Sequence, residues 1–546
     1  MATPSSPGVP GPAPRAATGF GPPSSSGATG PVTPGLPAHD IDPAFLALPR
    51  AALADAALQA ARDAGATHAD IRIERLKDQS LSFRDDGLES RGDGDSLGLA
   101  VRVIHNGTWG FAAGVALSTD EAVRLAREAV EMAKVARPLN TEPVELADEP
   151  VHAEATWVSA YLADPFAIDA AEKIERIGGL CRRLMASGDV DHVDGHLSSV
   201  LENKFYADMS GTRTTQQRVR IQCQLEATRL DPAGSGFETM RTIAAPVGRG
   251  WEWMVAGPAA GCWDWDAEIE LLPSLLAEKA KASSVEPGRY DLVVDPSNLW
   301  LTIHESVGHA TELDRALGYE AAYAGTSFAT LDQINSLRYG SSIMNVTGDR
   351  TALHGLATIG FDDEGVATRR FDIVRDGRLV GYQLDRAMAA RNAAALGSSR
   401  SNGCSFADSP AHVPIQRMAN VSLIPAAGGP TTEELIGRVS RGIYVVGDKS
   451  WSIDMQRYNF QFTGQRFYEI RDGRIVGQLR DVAYQATTTE FWGSLDALGG
   501  PSTYVLGGAF NCGKGQPGQV AAVSHGCPSA LFRDVNILNT QREAGR

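Results

Sequence analysis

Two imidazoles and a carboxylate fall within six residues at His304-Glu305-Ser306-Val307-Gly308-His309 of this 546-residue chain. Imidazole nitrogens are zinc ligands, and zinc in a hydrolytic site takes three protein ligands and keeps a position for a water that it acidifies towards neutrality. Glu305, next to the first imidazole, is suited to take a proton from that water and pass it to a leaving amine. A carboxylate beside a cation stays ionised and ready to accept it.

The spacing sets a geometric problem. A His-Glu-x-x-His helix puts its imidazoles about one turn apart, whereas five steps of about 100° leave His304 and His309 roughly 140° apart on a regular helix. A π-turn absorbs one extra residue and would realign them, and Gly308 is the residue best able to take an irregular conformation there. The spacing therefore predicts a helix that departs from α geometry between the two histidines. It also demands a third ligand. Asp, Glu, His and Cys could each supply it; the cysteine candidates are Cys512, Cys527 and Cys404, with Cys512 ahead because Asn511-Cys512-Gly513-Lys514-Gly515 combines closely spaced glycines with a lysine that would favour the thiolate.

The helix that carries the motif has clear start signals. Residues 290–294 read as a short buried strand, Asp295 as an N-cap and Pro296 as the first helical position, with Leu299, Ile303, Val307 and Ala310 as the core-facing stripe. After it the chain turns mostly to strands. Asp376-Gly377 and Asp472-Gly473 each read as a hairpin turn inside the matching strings Arg375-Asp376-Gly377-Arg378 and Arg471-Asp472-Gly473-Arg474. A shared hairpin turn explains that match more simply than an internal repeat.

Upstream, residues 1–40 are Pro, Gly and Ser rich and read as a disordered tail. Residues 41–150 read as an α/β domain: a helix over 51–64 ending at Gly65, strands at 69–73, 80–83 and 97–104, an Asn106-Gly107 turn, and a helix from a Ser118/Glu121 capping box to Ala136. Residues 151–285 read as a middle α/β segment, with a helix over 165–187, strands at 196–207 and 218–227, and a helix over 267–282 restarted at Pro273. His192 and His196 read as exposed loop histidines, because Gly195 between them is a turn signal. Residues 286–546 read as the C-terminal domain that carries the motif.

Composition narrows the partners. A formal charge of −16 argues against a general nucleic-acid or anionic-membrane surface, and no stretch is long and apolar enough to span a bilayer. Six scattered cysteines with no CxxC pair favour reduced thiols and a cytoplasmic setting.

Ordered strings along the chain resemble the TldD/PmbA family of metalloproteases, specifically its HExxxH-bearing, TldD-like subunit. They are Ser96-Leu97-Gly98-Leu99-Ala100-Val101-Arg102, Gly110-Phe111, the 304–309 motif, Asp362-Asp363-Glu364-Gly365, Gly381-Tyr382, Arg417-Met418-Ala419-Asn420, Gly442-Ile443-Tyr444 and Cys512-Gly513-Lys514. The resemblance implies an α+β protein, with an α/β N-terminal domain followed by a β-rich C-terminal metalloprotease domain. It implies that His304, His309 and Cys512 hold Zn2+ and that Glu305 is catalytic. It further implies hydrolysis of unfolded or extended peptides and assembly with a PmbA-like paralogue or as a homo-oligomer. Ala310 stands where the family often has glycine. The alternative is a non-catalytic peptide-binding or partner subunit, against which the intact HExxxH and Cys512 argue.

Overall fold

The structure is a computed structural model that describes residues 39–543 apart from Ala233, Ser235, Gln516 and Pro517. The expected tail at 1–40 lies outside the described residues except for His39 and Asp40.

Helix α1 (Arg50–Asp63) ends at Gly65, whose φ of +88° is the left-handed conformation that a helix stop favours. Strands β1 (His68–Arg84) and β2 (Gly87–His105) follow, then β3 (Thr108–Gly114). The short strands expected at 69–73, 80–83 and 97–104 are pieces of β1 and β2. Their connecting residues are polar and exposed in β2, so the hydrophobic alternation fades although the ladder continues unbroken from Leu76–Ser96 to Leu81–Arg91.

Helix α2 (Thr119–Ala136) is capped by the Ser118 hydroxyl, which accepts from the Glu121 N–H, while Glu121 pairs with Arg124. Strand β4 (Ala155–Val158) and helix α3 (Ala170–Met185, capped by Asp169) lead to β5 (His192–Asp208), β6 (Arg213–Leu230) and β7 (Phe237–Arg241). Helix α4 (Trp265–Lys281) runs through Pro273 without a restart. His192 and His196 lie on β5, not in a loop: Gly195 is a strand residue, and a Cβ there would sit 3.0 Å from Cys181 Sγ on α3. Close packing of helix on sheet, rather than a turn, is what that glycine serves.

All seven strands form one sheet, β3-β2-β1-β5-β6-β4 with β7 on β6, so segments 41–150 and 151–285 share a layer. Successive strand residues face opposite sides. On β1, Ile71 and Ile73 pack under α1 and α2, and Leu81 and Phe83 under α3. The other face is buried and charged. Arg72 and Lys204 pair with Asp363 at 3.0 and 2.9 Å, and Arg102 with Glu364 at 3.2 Å, so the 362–365 turn of the C-terminal half docks there. Such pairs add little net stability but are costly to break singly, and so fix how the two halves meet.

In the C-terminal half, β8 (Gly288–Val294) lies parallel to β12 (Arg441–Ile453) and antiparallel to β18 (Ala530–Asn539). Before β12 come β9 (Val346–Asp349), β10 (Arg370–Arg375) and β11 (Asn420–Leu423), which form a smaller sheet. After it, β13 (Asn459–Arg471), β14 (Arg474–Arg480) and β15 (Val482–Thr487) continue the larger sheet, and β12–β13 pairing closes the ring β12-β8-β18-β15-β13. Positive φ at Asp376, Gly377, Asp472 and Gly473 gives both hairpins the turn geometry expected of Asp-Gly.

Helix α5 (Pro296–Ile303) leaves β8 through the expected cap, Asp295 Oδ1 accepting from the Ser297 N–H at 2.9 Å. It is buried all round, not along a stripe. The ring lies on one side, where Asn298 Nδ2 donates to the Gly447 and Thr463 carbonyls; on the other lies the hairpin of β16 (Val505–Lys514) and β17 (Gln519–Cys527). Gly507 permits this approach, since a Cβ there would lie 2.5 Å from Trp300. No helix among the described residues is long and apolar enough to cross a membrane.

Candidate metal centre

Beyond Ile303 the helix widens into one π-turn, His304–Gly308, and then tightens into a 3-10 turn, His309–Thr311. The N–H of His309 bonds to the carbonyl of His304, and the rings end 4.7 Å apart between centroids at 78°. The expected departure from α geometry is present. Gly308, however, has an ordinary helical φ of −54°. What the position needs is room: a Cβ there would lie 2.6 Å from Met418 Sδ.

A buried irregular turn frees carbonyls that need partners. Tyr339 Oη donates to the Ser306 carbonyl at 2.5 Å, Thr311 Oγ1 to Val307 at 2.8 Å, and Gln383 Nε2 to Gly308 at 2.7 Å. Gln383 Oε1 in turn accepts from the Ala419 N–H at 2.8 Å. Thus the Arg417-Met418-Ala419-Asn420 string braces the turn.

Hairpin β16–β17 brings Cys512 to the same place. Donor atoms of His304, His309 and Cys512 all lie within 4.8 Å of one another, and Cys512 Sγ is 3.7 Å from His309 Nε2. Tetrahedral zinc with Zn–N of about 2.0 Å and Zn–S of about 2.3 Å separates N and S by about 3.5 Å. Cys527 is elsewhere, its thiol donating to the Pro296 carbonyl at 3.6 Å, and burial pushes it well above the ordinary thiol range. Burial likewise pushes Cys404 up to about 12. Cys512 differs: burial raises it, but His309 and Arg417 outweigh that and bring it below its usual value. Lys514 plays another part than expected. Fully buried, it spends its three donors on Glu312, Asp314 and Gln416, at 3.0, 2.8 and 2.5 Å.

Outer hydrogen bonds fix which ring nitrogens are free. His525 Nδ1 donates to the Val421 carbonyl at 2.8 Å, and burial with His304 nearby holds this imidazole neutral, so its Nε2 is bare. That nitrogen accepts from His304 Nδ1 at 2.7 Å, leaving His304 Nε2 as a lone-pair donor. On the other ring, His309 Nδ1 donates to Glu312 Oε2 at 2.7 Å, which frees His309 Nε2. Burial raises the Glu312 carboxyl, but Lys514, His309 and Arg315 hold it well below the ordinary range. Glu305 is also held ionised: burial opposes this, and His309, His304 and Arg457 prevail.

Known proteins place the chain in a lineage. Models of the PmbA/TldA metallopeptidase family match residues 69–133 as domain 1 and 287–539 as the C-terminal domain. The chain belongs to the PmbA/TldD metallopeptidase family. Among curated PmbA/TldD relatives, a metalloprotease of Methanothermobacter thermautotrophicus is 28% identical over 481 residues, 87% of this chain and 96% of that protein. The zinc metalloprotease TldD homolog of Saccharolobus solfataricus is 23% identical over 276 residues, 50% of this chain and 57% of its own length. TldE from Thermococcus kodakarensis shares the fold at a TM-score of 0.62 and 15% identity, covering 88% of this chain and 98% of its own.

Several residues around the site carry little signal in the sequence. Glu312 had a signal, a carboxylate three residues after a ligand-type histidine. His525 stands two residues before Cys527, one of the cysteine candidates, and is itself of ligand type. Arg417, which donates to the Cys512 and Gln519 carbonyls, stands in one of the strings that carry the resemblance but shows no role there, and Gln383 has no local signal, because only the fold brings them near.

Proposed function

We propose that this chain is a zinc peptidase of the TldD-like kind, with His304, His309 and Cys512 holding Zn2+ and Glu305 as the general base. The carrying observation is the convergence of two imidazole lone pairs and a lowered-pKa thiol on one point beside the π-turn. Two nitrogens and a sulfur suit zinc, and three protein ligands leave a fourth position open. Bound there, zinc supplies an activated water and a Lewis acid for a carbonyl.

The remaining work falls to the protein. Glu305 accepts the water proton and returns it to the amine that leaves. His525 and Glu312 keep the two imidazoles in the tautomers that ligation needs. Among the described residues β16 has no strand partner on its outer edge, so an extended or unfolded peptide can add its main chain there, next to Cys512. Assembly with a PmbA-like paralogue or as a homo-oligomer would enclose that edge. Six free cysteines support a reducing, cytoplasmic setting.

Metal analysis combined with cleavage of an unstructured fluorogenic peptide tests this reading. Glu305→Gln is expected to keep stoichiometric zinc and lose cleavage by about 100-fold or more. A chain that takes up no metal, alone or with a paralogue, would instead be the non-catalytic partner.

A further inference from the structure

Arg457 reaches Glu305 from a turn far away in sequence, and the details of that turn make the contact more than an incidental ion pair. Its Nη1 donates to Glu305 Oε2 at 2.9 Å, and both side chains are largely buried. Among the described residues this is the only ion pair of the guanidinium. The other contact is a long hydrogen bond of 3.4 Å from Nη2 to the Ala324 carbonyl, and the buried Nε–H has no partner. With so few other ties, the buried cation depends on the anion it meets.

The backbone is committed to the same end. Arg457 has a φ of +61°, the left-handed region that non-glycine residues seldom adopt and that carries strain unless the surroundings impose it. Here they impose it. Asp454 Oδ1 accepts from the N–H groups of Gln456 and Tyr458, at 3.1 and 2.8 Å, and its Oδ2 from the Asn459 N–H at 3.0 Å. The Arg457 carbonyl accepts from Thr488 Oγ1 at 2.8 Å. On the opposite side, the Thr326 and Phe328 N–H groups donate to the Met455 and Gln456 carbonyls, at 2.8 and 2.9 Å. A turn braced on both flanks thus aims one arginine at one carboxylate.

Glu305 itself is held asymmetrically. Oε2 takes the guanidinium, and no hydrogen bond among the described residues engages Oε1. We propose that Arg457 is a positioning residue for peptide hydrolysis: it pins Glu305 by Oε2 so that Oε1 stays free and fixed as the proton-accepting atom. This rests on the role proposed above for Glu305. It assigns Arg457 no contact with the metal and no direct contact with substrate.

Arg457→Met and Arg457→Lys, each compared with the full-length chain in the same assembly and on the same unstructured fluorogenic peptide, test it. Zinc content and thermal midpoint are measured alongside. Loss of orientation at a reacting group costs on the order of 100-fold, so Arg457→Met is expected to lower kcat by about that factor with zinc content and KM near wild type. Arg457→Lys should recover part of the loss, because an ammonium reaches one oxygen without the planar fork. In a Glu305→Gln background Arg457→Met should cost nothing further, since residues acting through one another are non-additive. Wild-type or higher kcat in Arg457→Met, zinc lost from folded Arg457→Met, or full additivity with Glu305→Gln would each overturn the proposal. If Glu305→Gln itself stays active, the base assignment fails first; if Glu305→Gln is inactive and both Arg457 variants are wild type, only the present inference fails.

Discussion

The backbone N–H of His309 donates to the carbonyl of His304, five residues earlier. That single bond turns two side chains that a regular helix would hold on different faces into neighbours 4.7 Å apart between ring centroids. Its surroundings are built to keep it. Met418 fills the space beside Gly308 so closely that Gly308→Ala is expected to destabilise the fold by about 1–3 kcal/mol through overpacking. Urea unfolding checks this. Pairing the substitution with Met418→Ala should recover part of the loss, whereas a conformational need for glycine would leave it unrelieved.

The two cysteines of the closing hairpin should separate cleanly. Cys512→Ser removes the sulfur beside His309, and zinc affinity should drop sharply while the fold remains. Cys527→Ser keeps a group able to donate to the Pro296 carbonyl and should retain zinc at full stoichiometry. Competition with a chromophoric chelator distinguishes these outcomes.

His525 acts on the site through His304. Replacing it with leucine removes the acceptor that fixes the His304 tautomer, and loss of such outer partners typically weakens metal affinity by about 10- to 100-fold. The same chelator titration measures it, and an unchanged affinity would remove His525 from the site.

How much of this was legible in sequence follows from where the information lies. Local signals carried far: Asp295 and Pro296 marked the start of α5, the Asp-Gly pairs marked their turns, and the five-residue spacing of the histidines called for a π-turn. Information carried by pairing was less visible. The polar first half of β2 hid a strand of 19 residues, because exposed ladder residues need no hydrophobic alternation. Gly195 resembled a turn and is instead a close contact with α3. Lys514 stood two residues from Cys512, yet in β16 it serves the acidic group around Glu312.

The charged face between the two halves carries its own pH dependence. Glu74 is fully buried, and among the described residues neither of its oxygens has a hydrogen-bond partner. Burial pushes its carboxyl up to about 7, against the pull of Lys204 and Arg72. An unfolded glutamate releases its proton near pH 4.3, so between there and about 7 the unfolded chain ionises while the folded chain stays protonated. This group's contribution is therefore full below that window, declines as pH rises through it, and is level above. Glu74→Gln removes the decline. Its stability relative to wild type, from urea midpoints, should improve from pH 5 to about 7 and then level off; a constant difference would contradict the shift.

X-ray absorption at the zinc edge on the zinc-loaded full-length chain tests the centre most directly. The account predicts one sulfur at about 2.3 Å and two imidazole nitrogens at about 2.0–2.1 Å. The sulfur shell should vanish in Cys512→Ser and persist in Cys527→Ser. A wild-type spectrum with only nitrogen and oxygen neighbours, or a sulfur shell that survives Cys512→Ser, would contradict a zinc site built from His304, His309 and Cys512.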